Sequence, residues 1–173
     1  MTGPRNSRRT ANRVRVSLAG RLGGDIDGAW WPYTASMGRE LPDLVDALIP
    51  AIGAVVDIQI NWLAKSRTPV LSTMAAAAAT KMGWDASQQR LMSLAGTTAS
   101  TRILVIPAMT PVALALMVLR QSAGRAIPDL EYGTPVFEAA DRIVRAAQVA
   151  SGSWKVPPAA GASAGAGAGS GSD

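Results

Sequence analysis

Chemistry-bearing residues are few in this 173-residue chain, and the ones that stand out are aspartates. Asp25 and Asp27 lie two positions apart, Asp57 sits inside an alternating segment, and Asp85 follows a tryptophan. Paired carboxylates perform acid–base work or hold Mg²⁺. No spacing among these four specifies a reaction, and no glycine-rich phosphate loop accompanies them. The chain contains neither histidine nor cysteine. The commonest general base, the commonest transition-metal ligand and every thiolate are therefore missing, and zinc loses its usual ligands. No catalytic residue, metal ligand or cofactor is expected. An enzyme working through Asp25, Asp27, Asp57 or Asp85 is the weakest of three functional readings.

The second concentration of special residues is Gly24-Asp25-Ile26-Asp27-Gly28-Ala29-Trp30-Trp31-Pro32. Gly28 takes unusual backbone angles at little cost, whereas Pro32 restrains itself and holds Trp31 extended. The stretch reads as a turn entering a short rigid extended piece. Successive side chains there point to opposite faces. One tryptophan should enter the core, and the other should cover a helix or line a groove. A buried indole N–H wants a partner. Asp25 or Asp27 is placed to supply it, or to bond nearby backbone N–H groups in an Asx-turn. Two readings stand side by side: a folding anchor, or an aromatic-walled pocket edged by carboxylates. The second makes Asp25, Asp27, Trp30 and Trp31 the candidate ligand-binding residues.

This turn also carries a resemblance. The segment Arg13 to Leu18, then Asp27 to Pro32, then Glu40-Leu41-Pro42-Asp43-Leu44 is similar to an actinobacterial family of small domains of unknown function. The likeness continues through Met82-Gly83-Trp84, Arg90 to Leu94 and Leu104-Val105-Ile106-Pro107, covering about residues 13 to 120. A basic N-terminal arm, an alanine-rich middle and a long C-terminal extension depart from it. The resemblance implies a shared fold unit and brings no established reaction or ligand.

The elements that must position these residues follow from periodicity. Val14, Val16 and Leu18 alternate with Arg13, Arg15 and Ser17, the pattern of a strand with one buried face. After Pro32, Thr34 or Ser36 suits a helix N-cap. Leu41, Leu44, Val45, Leu48, Ile49 and Ile52 recur at helical spacing. Pro42 suits a first turn, so the main helix is expected from about Leu41, kinked or ended by Pro50 and closed at Gly53. Its acids Glu40, Asp43 and Asp46 suit the positive end of the helix dipole. Val55 to Leu63 is the clearest strand. Val56, Ile58, Ile60 and Trp62 should face inward, and Asp57, Gln59 and Asn61 should face solvent or a cleft.

Val70 to Met74 reads as a strand, and the alanines after it are taken as extended. Gln89 to Ala95 and Thr101 to Ile106 form two more strands around a five-residue hairpin loop, Gly96 to Ser100. Thr110 should cap a buried helix with Pro111 at its first position, and Thr134-Pro135 should open another. In that last helix Glu138 and Arg142 form a pair worth about 0.2–0.5 kcal/mol. The expected fold is α+β: a mostly antiparallel sheet of about five strands packed with two or three helices. The expected units are a disordered basic arm over 1–12, the core domain over 13–124, a C-terminal loop and helix over 125–156, and a disordered Ala/Gly/Ser tail over 157–173.

The net charge of +5 is uneven. Arg5, Arg8, Arg9, Arg13, Arg15 and Arg21 all precede the first acid, so the remainder is one charge below neutral. Arg5, Arg8 and Arg9 in a mobile arm would neutralise phosphates, making a nucleic-acid accessory protein the second reading. No helix-turn-helix, RNA-binding-sheet or zinc-finger signature supports it further. The longest apolar run, Ile103 to Leu119, is short of the ~20 residues of a membrane helix and is broken by Pro107 and Pro111. Met1 to Arg21 lacks an apolar signal core. A cytoplasmic setting is expected, in keeping with the absence of cysteine, and the last helix is a candidate for homodimer contacts. The leading reading is a non-enzymatic domain that engages a protein or small molecule near the Trp30-Trp31 turn.

Overall fold

The computed structural model describes residues 14–62 and 90–154. Arg5, Arg8, Arg9 and Asp85, the strand expected from Val70, and the Ala/Gly/Ser tail lie outside the described residues.

Five strands and three helices make up the described chain: β1 (Val16–Leu18), β2 (Gly28–Trp30), α1 (Met37–Ile52), β3 (Val55–Trp62), β4 (Arg90–Gly96), β5 (Ser100–Val105), α2 (Val112–Ser122) and α3 (Pro135–Ser153). A single 3-10 turn, Asp129–Glu131, precedes α3. The sheet runs β1-β2-β5-β4-β3. It is α+β as expected, but mixed: β2 pairs parallel with β5, and the other three pairings are antiparallel.

The strand not foreseen as such is β2. Its three residues are all buried. Hydrogen bonds to β1 and β5 on its two sides hold it, which is how so short a strand persists. Gly28 is required there, because a Cβ would overlap the Ser17 carbonyl oxygen of β1.

Alternation along β2 divides the two tryptophans between two cores. Trp30 packs with Leu44, Leu48 and Ile52 of α1 and with Met92, Leu94, Ile103 and Val105. Trp31 packs on the other face with Ala29, Leu91, Leu104 and Ile106 under α2 and α3. The molecule is thus three layers, with α1 on one face of the sheet and α2 and α3 on the other.

Helix α1 begins at Met37, ahead of the expected Leu41, and runs through both Pro42 and Pro50. Each proline removes one intrahelical bond. Both lie on the exposed side, and the buried stripe Leu44, Leu48 and Ile52 holds the helix together across them. Ser36 occupies the N-cap position without a side-chain bond. The acid Glu40 instead accepts bonds from Tyr33 N, Thr34 N and the Thr34 hydroxyl, tying the preceding loop to the first turn. Gly53 closes the helix at φ 77° and donates to Ile49 O.

In β3 the inward set differs from the expected one. A bulge between Val55 and Asp57 shifts the register. Val55, Ile58 and Ile60 pack toward α1, while Val56 is 65% exposed. The hairpin is also tighter, because Gly96 and Ser100 belong to the strands. At the start of α2 the N-cap is Pro111, not Thr110. Thr110 N bonds Pro107 O in a turn, which leaves the threonine one position outside the helix, its buried hydroxyl without a partner among the described residues. Thr134 does cap α3, accepting from Phe137 N at 3.2 Å, with Pro135 first in the helix. Among the described residues no helix is long and apolar enough to cross a membrane.

Candidate functional site: a polar corner of the sheet

Helix α2 lies over β1 and β2, and α3 lies beside β5. Beyond the end of α3, the same sheet face carries polar residues. Cross-strand register places Gln59 beside Ser93 and Ser93 beside Arg102. Asp27 follows next, its N–H donating to Arg102 O at 2.7 Å. A polar row therefore crosses β3, β4 and β5 to the residue before β2. It borders a cleft of about 380 Å³ whose lining includes Gly23, Gly24, Asp25, Asp27, Asp57, Ser93, Ser100, Thr101 and Arg102.

Two of the expected residues, Asp25 and Asp27, reach this cleft in different roles. Asp27 is 2% exposed. Its Oδ1 accepts from Gly23 N at 2.8 Å and Gly24 N at 2.9 Å, and its Oδ2 accepts from Arg102 N at 3.1 Å. That is the carboxylate's local bonding expected of an Asx-type turn, extended to a strand 75 residues away. Gly23 makes the turn possible at φ 108°. Asp25 is exposed, and its carbonyl oxygen accepts from the Ser151 hydroxyl of α3. Asp57 joins the same cleft, its Oδ2 accepting from Gln59 Nε2 at 2.9 Å. Of the polar stripe Asp57, Gln59 and Asn61, Asp57 is the member that lines the cleft.

Trp30 and Trp31 are 1% and 5% exposed and do not line this cleft. The Trp31 indole N–H does not go to Asp25 or Asp27 as expected; it donates to Ala108 O at 3.3 Å. The Asp27 carboxylate is committed instead to the backbone N–H groups of Gly23, Gly24 and Arg102.

The residues that sequence reasoning missed are Arg102, Ser93 and Ser151. Arg102 Nη1 donates to the Ser151 carbonyl at 3.2 Å and to its hydroxyl at 3.3 Å. The last turn of α3 has no basic residue of its own, and Arg102 supplies from the sheet the cation that a helix C-terminus favours. Arg102 makes no ion pair among the described residues, although three aspartates line the same cleft. Ser93 is 9% exposed, and its hydroxyl has no hydrogen-bond partner among the described residues. Thr101, also on the cleft, is buried, and its Oγ1 has no partner among the described residues. Two signals were present in the sequence: a serine between Met92 and Leu94, and an arginine directly before the apolar Ile103 to Ile106.

A larger hollow of about 520 Å³ lies between the end of α2 and α3, walled by Ile127, Tyr132, Phe137 and Val144. Its arginines already have partners: Arg125 bonds Leu18 O, and Arg145 pairs with Asp141 at 2.8 Å. Among the described residues no group of three or more histidines, cysteines or acids is arranged to hold a metal ion.

Fold and site together define a small α+β domain with a polar cleft at one corner of its sheet. By sequence the chain belongs to a family of unknown function, DUF5994, which matches residues 13–122. No curated protein and no solved structure matches it. Cleft residues Asp25 to Arg102 fall inside the matched span, and Ser151 falls outside it.

Proposed function

We propose that this chain is a non-enzymatic cytoplasmic binding domain whose ligand is a small polar molecule seated at the sheet corner beside the Trp30-Trp31 turn. The observation that carries this reading is Ser93. Ser93 lies on the cleft face of the sheet, nine-tenths buried as a residue, and its hydroxyl has no partner among the described residues. Its Oγ is not sealed from solvent, so a ligand group in the cleft reaches it with no described partner to displace. Asp25, Asp57, Ser93 and Arg102 are the proposed contacts. Asp27 shapes the loop, and Trp30 and Trp31 hold the walls in place from the two cores. A binding role also agrees with how the acids are used: Asp27 is surrounded by backbone donors and Asp57 by an amide, neither poised on a nucleophile or a proton relay.

The test is amide-shift mapping of the isotope-labelled full chain against a library of small polar molecules. Ligands should move the amides of Gly24, Ser93 and Arg102 together, and Ser93→Val should weaken those that do. Hits that shift only the α2–α3 hollow, or no hits at all, would refute the reading.

A further inference from the structure

We infer that the sheet-corner cleft selects a small zwitterion, its ammonium group held by Asp25 and Asp57 and its carboxylate by Arg102; this rests on the binding reading above. Acids and a guanidinium line one cleft, yet Arg102 pairs with none of them. Opposite charges that share a cleft can pair where their side chains reach one another and no other bonds hold them. Here two sets of bonds do so. Asp27, next to Arg102 in the sheet, turns both oxygens to backbone N–H groups. Arg102 Nη1 is engaged by the Ser151 carbonyl and hydroxyl at the end of α3.

What remains is complementary. The Nε and Nη2 donors of Arg102, the Asp25 carboxylate and Asp57 Oδ1 have no partners among the described residues. Asp57 stands on β3 and Arg102 on β5, with β4 between them. Two strand spacings separate them by roughly 10 Å at the backbone, so a molecule with separated charges can span what the side chains do not. A lone anion would face the field of three aspartates, and a lone cation would face Arg102. A molecule bearing both charges meets each with its opposite, while Ser93 offers a neutral hydroxyl between them. Ser151 is a positioning residue in this arrangement: it touches no ligand and holds the guanidinium.

The experiment titrates the full chain, by calorimetry and amide-shift mapping, with glycine, β-alanine and γ-aminobutyrate, and separately with acetate and methylammonium. At least one zwitterion should bind about tenfold tighter than either singly charged probe, since each charge-assisted contact contributes on that order. Arg102→Gln should weaken the zwitterion and acetate while sparing methylammonium, and Asp57→Asn should do the reverse for the single charges. Ser151→Ala, which releases both Arg102 and the Asp25 carbonyl, should weaken the zwitterion more than either singly charged probe, a split that a general loss of fold would not produce. If acetate or methylammonium binds as tightly as every zwitterion, or if only uncharged molecules enter the cleft, the zwitterion inference is overturned and the binding reading stands. If nothing in the library enters the cleft, both fall.

Discussion

The guanidinium of Arg15 lies over the indole of Trp31, 3.6 Å from the ring centroid. It is also 3.9 Å from the Tyr33 centroid, so one cation contacts two rings. Its Nε donates to Trp31 O at 3.1 Å and its Nη2 to Pro32 O at 2.7 Å. Arg15 thereby fastens the chain leaving β2 to the edge of the sheet. Lysine keeps the charge but loses the planar stack and the forked donors. Arg15→Lys should therefore lower stability by about 1–2 kcal/mol, read from urea denaturation. An unchanged midpoint would reduce the stack to a surface contact.

The two tryptophans occupy separate cores, which makes a specific claim about their replacement. Trp30→Ala and Trp31→Ala should each cost about 3–5 kcal/mol, measured by chemical denaturation. A chain that tolerates either change with little loss would place that indole at the surface and restore the aromatic-walled pocket as the better reading of the turn.

Asp27 answers three backbone donors with one carboxylate. Asp27→Ala leaves the N–H groups of Gly23, Gly24 and Arg102 without that acceptor. A loss of about 2–4 kcal/mol is expected, with faster hydrogen exchange at the Arg102 amide. Asp27→Asn should also destabilise, because an amide nitrogen would face a backbone N–H. Wild-type stability in the asparagine variant would show that the charge is not needed by the loop.

Gly96 is the point where the β4–β5 hairpin passes beneath the end of α1. A Cβ there would overlap the Ile52 carbonyl oxygen, which also accepts from Thr98 N. Gly96→Ala should cost at least about 3 kcal/mol. Gly20 has open space around it, so Gly20→Ala should stay within about 0.5 kcal/mol of wild type. Thermal melts of the two variants make the comparison, and equal melting temperatures would contradict the close approach.

Ser151 joins three parts of the fold: α3, the Asp25 carbonyl and Arg102. It is fully buried. Ser151→Ala should destabilise by about 1–3 kcal/mol, and Ser151→Thr should recover part of the loss if the hydroxyl is what matters. The measurement is denaturation of both variants beside wild type.

The local patterns were legible because their causes are local. Period-two alternation placed β1 and β3, the continuously apolar run Ile103 to Ile106 marked β5, and the Thr134-Pro135 pair marked the start of α3, since side chains within a few residues decide each of them. The misreadings have a common cause in distant contacts. Helix α1 continues through two prolines because its buried stripe packs on the sheet, not because of anything adjacent in the chain. The Val55/Asp57 bulge depends on how β3 meets β4. The short β2 exists only between β1 and β5, and Gly28 is needed only because Ser17 comes so near.

The candidate site divides the same way. Sequence alone determined that this is an α+β domain lacking histidine and cysteine, with its special residues gathered at Gly24 to Pro32. Residue types and short-range spacing are sufficient for that. Tertiary structure decided which of those residues meet a ligand surface and which are buried anchors. It turned the two indoles into separate cores and brought Arg102 to Ser151 across 49 residues and to Asp27 across 75. Hydrogen bonds of that span arise from strand order and helix docking, and a sequence pattern carries no signal of where two distant segments will touch.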